Sequence, residues 1–199
     1  MSENRGKSKE FRVSDVARRV KPAASWDQLE LPQAGMSQLK DICSRVRQCR
    51  QLYGQQGIAG DFSRRTGVKA LFTGPPGSGK AKAAEVIASE LGMHLYKVDL
   101  RSLVDKYIGE TEKNLARVFA AAERADFVLF FDEADALFGK RTDVRDSHDR
   151  YANQEAAFLL QRLETYKGSL AILSSNRQHV IDRAFVRRFD CTIEFPALP

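Results

Sequence analysis

The chain has 199 residues, 43% of them hydrophobic and 29% charged, enough for one domain with a sizeable core. Its net charge of +6 sits mostly in residues 1–22, where seven Lys/Arg face three acids, so the rest of the chain carries too little charge to suggest a nucleic-acid-binding body. No apolar run approaches a membrane span, the N-terminus lacks the apolar core of a signal peptide, and Cys43, Cys49 and Cys191 show no metal spacing and fit a reduced cytoplasm.

Residues 1–25 are expected to form a basic, poorly ordered lead-in with one turn of helix around Ser14–Val20. It reads as a solvated linker or a contact for acidic partners. Residues 26–199 are expected to form the folded core. Trp26–Pro32 reads as extended. Residues 36–53 form an amphipathic helix, with Leu39, Ile42, Cys43, Val46, Cys49 and Tyr53 spaced by three and four and Gly54 as its stop. A loop follows over 54–67. Val68–Thr73 is the first strand of the core, Lys80–Leu91 a helix ended by Gly92, and Leu95–Leu100 the second strand. Thr111–Arg124 is a helix with Leu115, Val118, Phe119 and Ala122 on one face. Phe127–Phe131 is apolar at every position, the mark of a strand buried on both faces. A charged loop covers about 138–149, and Tyr151–Tyr166 is a helix. Leu170–Ser174 and Cys191–Phe195 complete five strands. Alternating strands and helices imply an α/β fold, a parallel five-stranded sheet with helices on both faces. Ligands of such sheets sit at the C-terminal ends of the strands.

The stretch around which the rest is organised is Gly74-Pro75-Pro76-Gly77-Ser78-Gly79-Lys80-Ala81-Lys82. It joins the first strand of the core to a helix, the context a phosphate-binding loop requires. Glycines let the backbone form a nest of inward N–H groups, the helix N-terminus adds partial positive charge, and Lys80 supplies a full one. The blander alternative is a plain glycine turn. The motif wants Ser or Thr after the lysine, to bind Mg²⁺ through its hydroxyl. Here the residue is Ala81, so one metal ligand is missing.

Asp132 and Glu133 follow the buried strand directly. Asp132 is suited to hold Mg²⁺ through its water shell, and Glu133 to polarise a water attacking the γ-phosphate. Two acids capping a helix start are the competing reading. Asn176, after the fourth strand, is either a turn residue or an amide that orients the attacking water. Arg187 and Arg188 either make surface ion pairs with Asp182 or Asp190 or reach a neighbouring subunit's nucleotide as arginine fingers. Tyr107-Ile108-Gly109 reads as an exposed contact loop or as a Tyr packed under its own loop.

In this order the stretches resemble the AAA+ ATPases, from about Trp26 to Phe195. Gly74–Lys80 matches the Walker A motif and Phe127–Glu133 the Walker B motif. Asn176 falls at the sensor-one position, and Arg187 and Arg188 at the arginine fingers. Tyr107, Ile108 and Gly109 look like the pore loop that grips polypeptide in protein-remodelling members. The stretches Tyr107–Asn114, Phe138–Arg141 and Asp146–Asn153 are similar to bacterial members associated with phage-tail-like contractile injection systems. The resemblance implies a P-loop NTPase three-layer α/β/α sandwich and ATP or ADP with Mg²⁺ as ligands. It also implies a homo-oligomeric, hexameric ring in the cytoplasm that hydrolyses ATP to remodel a polypeptide or partner complex. The helical lid of the family is expected to be absent, since the chain stops after the fifth strand at Pro199. Two other functions are left open. One is a nucleotide-binding scaffold with little hydrolysis, favoured by Ala81. The other is a nucleic-acid-directed motor, disfavoured by the Tyr-Ile-Gly loop.

Overall fold

The computed structural model describes residues 16–54, 67–106, 110–138, 147–176 and 183–197. In chain order its elements are β1 (Arg18–Val20), α1 (Gln33–Gly54), β2 (Val68–Thr73), α2 (Lys80–Glu90), β3 (His94–Asp99), α3 (Leu100–Lys106) and α4 (Thr111–Arg124). They continue with β4 (Phe127–Asp132), α5 (Asp135–Phe138), α6 (Ser147–Glu164), β5 (Leu170–Ser175), α7 (Arg183–Val186) and β6 (Cys191–Glu194).

The α/β expectation holds, with one correction to the sheet. It has six strands, in the order β1-β3-β4-β5-β2-β6. The five expected strands run parallel, whereas β1 pairs antiparallel with β3, Arg18 opposite Lys97 and Val20 opposite Leu95. The turn of helix expected around Ser14–Val20 is therefore wrong for Arg18–Val20. Two exposed arginines carry no hydrophobic period, and what fixes the segment is the edge backbone of β3 with the Arg19–His94 hydrogen bond and the packing of Ala17 and Val20. Trp26–Pro32 is not wholly extended either. Trp26–Gln28 forms a 3₁₀ turn in which Ser25 and Gln28 form a capping box.

Side-chain alternation on the strands sorts the core into two layers. Leu71, Leu129, Phe131 and Leu173 pack with Leu115, Val118 and Phe119 of α4 and Leu159 and Leu163 of α6. Phe72, Phe130, Ile172 and Ile193 pack with Leu39, Ile42 and Val46 of α1 and Ala83, Ala84 and Ile87 of α2. β5 lies between β2 and β4. The carboxyl ends of these three adjacent strands thus bring together Gly74, Asn176 and the pair Asp132–Glu133, though they are separated by up to about a hundred residues in sequence. Cys43 and Cys191 belong to the α1–α2 layer, where burial pushes both thiols up to about 11, so they are packing residues and not nucleophiles.

Candidate functional site

The loop after β2 is shaped by what a side chain would strike. Gly74 has φ of +148°, and a Cβ there would lie 2.3 Å from the Phe195 carbonyl oxygen; no other residue fits. Gly77 (φ +79°) and Gly79 (φ +92°) have open space where a Cβ would stand. There the requirement is the left-handed backbone, which turns successive N–H groups toward one point. Gly79 is the N-cap of α2 and offers no side-chain acceptor, so the first-turn N–H groups of α2 are left for a ligand.

Lys80 lies beneath this cradle and is only 6% exposed. Its Nζ donates to the carbonyls of Gly74 and Pro75, each at 2.7 Å, and stands 3.4 Å from Ser78 Oγ. Burial lowers its pKa, an effect opposed by the charges of Asp132 and Asp135. A desolvated ammonium beside free N–H groups is a strong anion partner. Beside the loop a cavity of about 120 Å³ opens between Gly77, Ser78, Gly79 and Lys82 on one side and Gln28, Leu29, Glu30, Leu31 and Phe195 on the other. Its apolar residues, Leu29, Leu31 and Phe195, suit a flat ring better than a charge. Sequence reading assigned no role to residues 28–31.

At the end of β4 the two acids are handled differently. Asp132 Oδ2 meets Lys97 Nζ at 2.6 Å. Its Oδ1 accepts from Ser174 Oγ at 2.9 Å and from the Glu133 N–H at 3.0 Å. Glu133 has φ of +56° and is the one non-glycine residue with positive φ among the described residues. A left-handed glutamate costs about 1–2 kcal/mol, and such strain gathers at functional sites. Its carboxylate lies 3.4 Å from Arg101 Nε. The Asn176 N–H donates to Asp135 Oδ1 at 3.0 Å, which ties the end of β5 to the turn after β4. Lys97, Arg101, Asp135 and Ser174 were not singled out from sequence. The visible signal for Lys97 is a lysine inside an otherwise apolar strand core, Leu95-Tyr96-Lys97-Val98.

Arg187 is exposed. Arg188 pairs with Glu164 at the end of α6 at 2.9 Å. The surface pairing of Arg188 with Asp182 or Asp190, one of the two sequence readings, is thereby corrected for Asp190. That carboxylate turns to β2, accepting from the Lys69 N–H at 2.7 Å and standing 4.0 Å from Lys69 Nζ. Asp182, with Tyr107, Ile108 and Gly109, lies outside the described residues. The flanks of that loop are α3, ending at Lys106, and α4, beginning at Thr111.

The set fits a nucleotide: an open nest, a buried ammonium and an apolar cavity beside it. It also fits Mg²⁺ of the kind held by one carboxylate, phosphates and water. Among the described residues no cluster of three or more His, Cys, Asp or Glu could hold a metal by itself.

Residues 70–197 match the family described as "ATPase family associated with various cellular activities (AAA)". The chain belongs to the AAA family. It is 32% identical over 92% of its length to "Uncharacterized AAA family ATPase y4kL" of Sinorhizobium fredii, covering 53% of that protein. It is 33% identical over 78% of its length to "26S proteasome regulatory subunit 10B" of Dictyostelium discoideum, covering 42% of it. The chain thus spans about half the length of these curated relatives. Among solved structures, the FIGL-1 AAA domain in complex with ADP superposes with a TM-score of 0.67 at 23% identity, over 94% of this chain and 60% of that one. At that identity the likeness speaks for the AAA fold alone.

Proposed function

We propose that this AAA chain binds ATP with Mg²⁺ at Gly74–Lys82 and, within a ring of like subunits, hydrolyses it to remodel polypeptides. The observation that carries the proposal is the buried Lys80 ammonium beneath the open glycine nest, one strand removed in the sheet from two strand-end carboxylates, one of them on a strained backbone.

Backbone N–H groups of the loop and of the first turn of α2 bind phosphate oxygens. The Lys80 ammonium, now shared among Gly74, Pro75 and Ser78, turns its charge to them. Leu29, Leu31 and Phe195 receive the base. Asp132 would hold Mg²⁺ by accepting hydrogen bonds from its water shell, and the ion would supply charge neutralisation to the phosphates. Glu133 takes a proton from the attacking water, and the Asn176 amide orients that water. Arg187 and Arg188 supply positive charge to a neighbour's transferring phosphoryl group. Tyr107 and Ile108 hold the polypeptide. A cytoplasmic ring acting on a contractile injection system is the narrower form of the proposal. It rests on the sequence similarity at Tyr107–Asn114, Phe138–Arg141 and Asp146–Asn153. A scaffold that binds ATP and hydrolyses little of it is the second reading, favoured by Ala81.

Calorimetric titration with ADP and a steady-state ATPase assay test the proposal together. Lys80→Ala is expected to lose roughly a hundredfold in affinity, about 2.7 kcal/mol, whereas Glu133→Gln keeps affinity and loses turnover. Undiminished binding by Lys80→Ala would remove the phosphate loop from its role. Binding without turnover in the unaltered chain would favour the scaffold.

A further inference from the structure

We infer that Lys97 is a built-in cation for the strand-end carboxylate Asp132, and that it makes nucleotide binding here only weakly dependent on Mg²⁺. The inference rests on the nucleotide reading above and extends it to the metal.

Lys97 and Asp132 stand on neighbouring parallel strands. Lys97 pairs with Phe130 and Asp99 with Asp132, so the lysine side chain runs two residues along the sheet to reach the carboxylate. It arrives at 2.6 Å, and the pair is partly buried, with side-chain exposures of 29% and 21%. The ammonium also stands 5.8 Å from the centre of the Phe130 ring, inside cation–π range. The second carboxylate oxygen is already occupied by Ser174 Oγ and the Glu133 N–H. Oδ1 thus accepts two bonds and Oδ2 one from groups of this chain, which leaves the carboxylate little acceptor capacity for the water shell of Mg²⁺. A partly buried, charge-assisted contact is harder to displace than an exposed pair.

Ala81 acts in the same direction. It offers no oxygen where the loop motif places a metal-binding hydroxyl. One feature removes a metal-binding oxygen and the other engages most of the carboxylate that remains. Meanwhile Lys97 offsets the charge of Asp132, a charge that also acts on Lys80 in the glycine loop. Fixed cations can offset phosphate charge without a divalent ion. Nucleotide and Asp132 then share the site without the mutual repulsion that otherwise makes the metal necessary.

The test is ADP affinity by calorimetry, in excess Mg²⁺ and in EDTA, for the wild type, Lys97→Met, Lys97→Gln and Lys97→Arg. Circular dichroism checks that each variant is folded. For the wild type the two affinities are expected to agree within about threefold. Lys97→Met and Lys97→Gln should bind more weakly in EDTA, because Asp132 is left uncompensated, and regain affinity with Mg²⁺, a ratio of roughly tenfold or more. Lys97→Arg keeps the charge and should keep the wild-type ratio. A wild type with a ratio of tenfold or more, or neutral variants with the wild-type ratio, overturns the role of Lys97 while nucleotide binding stands. No ADP binding by the wild type in either medium overturns the nucleotide reading and this inference with it.

Discussion

Glu133 carries its strain in the backbone, and the strain can be measured against its proposed function. Glycine adopts a φ of +56° freely, so Glu133→Gly is expected to raise stability by about 1 kcal/mol while abolishing turnover. The ion pair lost with Arg101 is largely exposed on the arginine's side and costs little. Chemical denaturation beside an ATPase assay reads both effects. Glu155 on α6 is a second residue under stress. It is 8% exposed, and its Oε2 has no hydrogen-bond partner. Burial raises its pKa above the ordinary 4.5, a hydrogen bond with Thr111 pulls it back, and the charge of Glu112 adds to the rise. A raised pKa means that the folded chain holds this proton more tightly than the unfolded one. Stability from this group is therefore highest in acid and falls as pH climbs past the ordinary carboxylate range toward the raised value. Glu155→Gln should flatten that part of the curve and raise Tm at neutral pH. Equal slopes of Tm against pH for both proteins would mean that Glu155 ionises without cost.

Among the elements, β4 is the simplest to connect from sequence to energy. Phe127–Phe131 are all buried, with odd positions facing the α4–α6 layer and even ones the α1–α2 layer. Phe131→Ala removes a fully buried ring that stacks with Phe119 at 5.2 Å between centroids, and should cost about 3–5 kcal/mol in a denaturation experiment. The same hydrophobic logic made the core strands and α4 readable in the sequence, because their periodicity is local. β1 was not readable, since Arg18-Arg19-Val20 has no local period and its partners, the β3 backbone and His94, lie far along the chain. The site divides in the same way. Gly74–Lys80 and Asp132–Glu133 announce themselves by spacing. Lys97, Arg101 and Ser174 do not, because their partners Asp132 and Glu133 come from other strands. Glu164 as the partner of Arg188 was likewise hidden until α6 and the turn before β6 were placed together.

For the whole molecule, the proposed ring makes the role of Arg187 and Arg188 testable between subunits. The Arg188–Glu164 pair is exposed, at 38% and 48%, so freeing the arginine costs about 0–1 kcal/mol. Arg187→Ala and Arg188→Ala are each expected to lower turnover and spare ADP affinity, and mixing either with Lys80→Ala should recover part of the rate. No recovery on mixing would place the arginines in service of their own subunit. A different kind of consequence follows from Phe195. Its N–H bonds to the Thr73 carbonyl at 2.7 Å, its carbonyl lies against Gly74 too closely for any Cβ, and its ring meets that of Phe72 at 5.1 Å between centroids, tilted by 50°. Mechanically, Phe195 is a rivet between the last strand and the glycine loop. A pull on the backbone at Pro196 and Ala197 would thus be expected to load Thr73 and Gly74 first, and with them the start of the glycine loop.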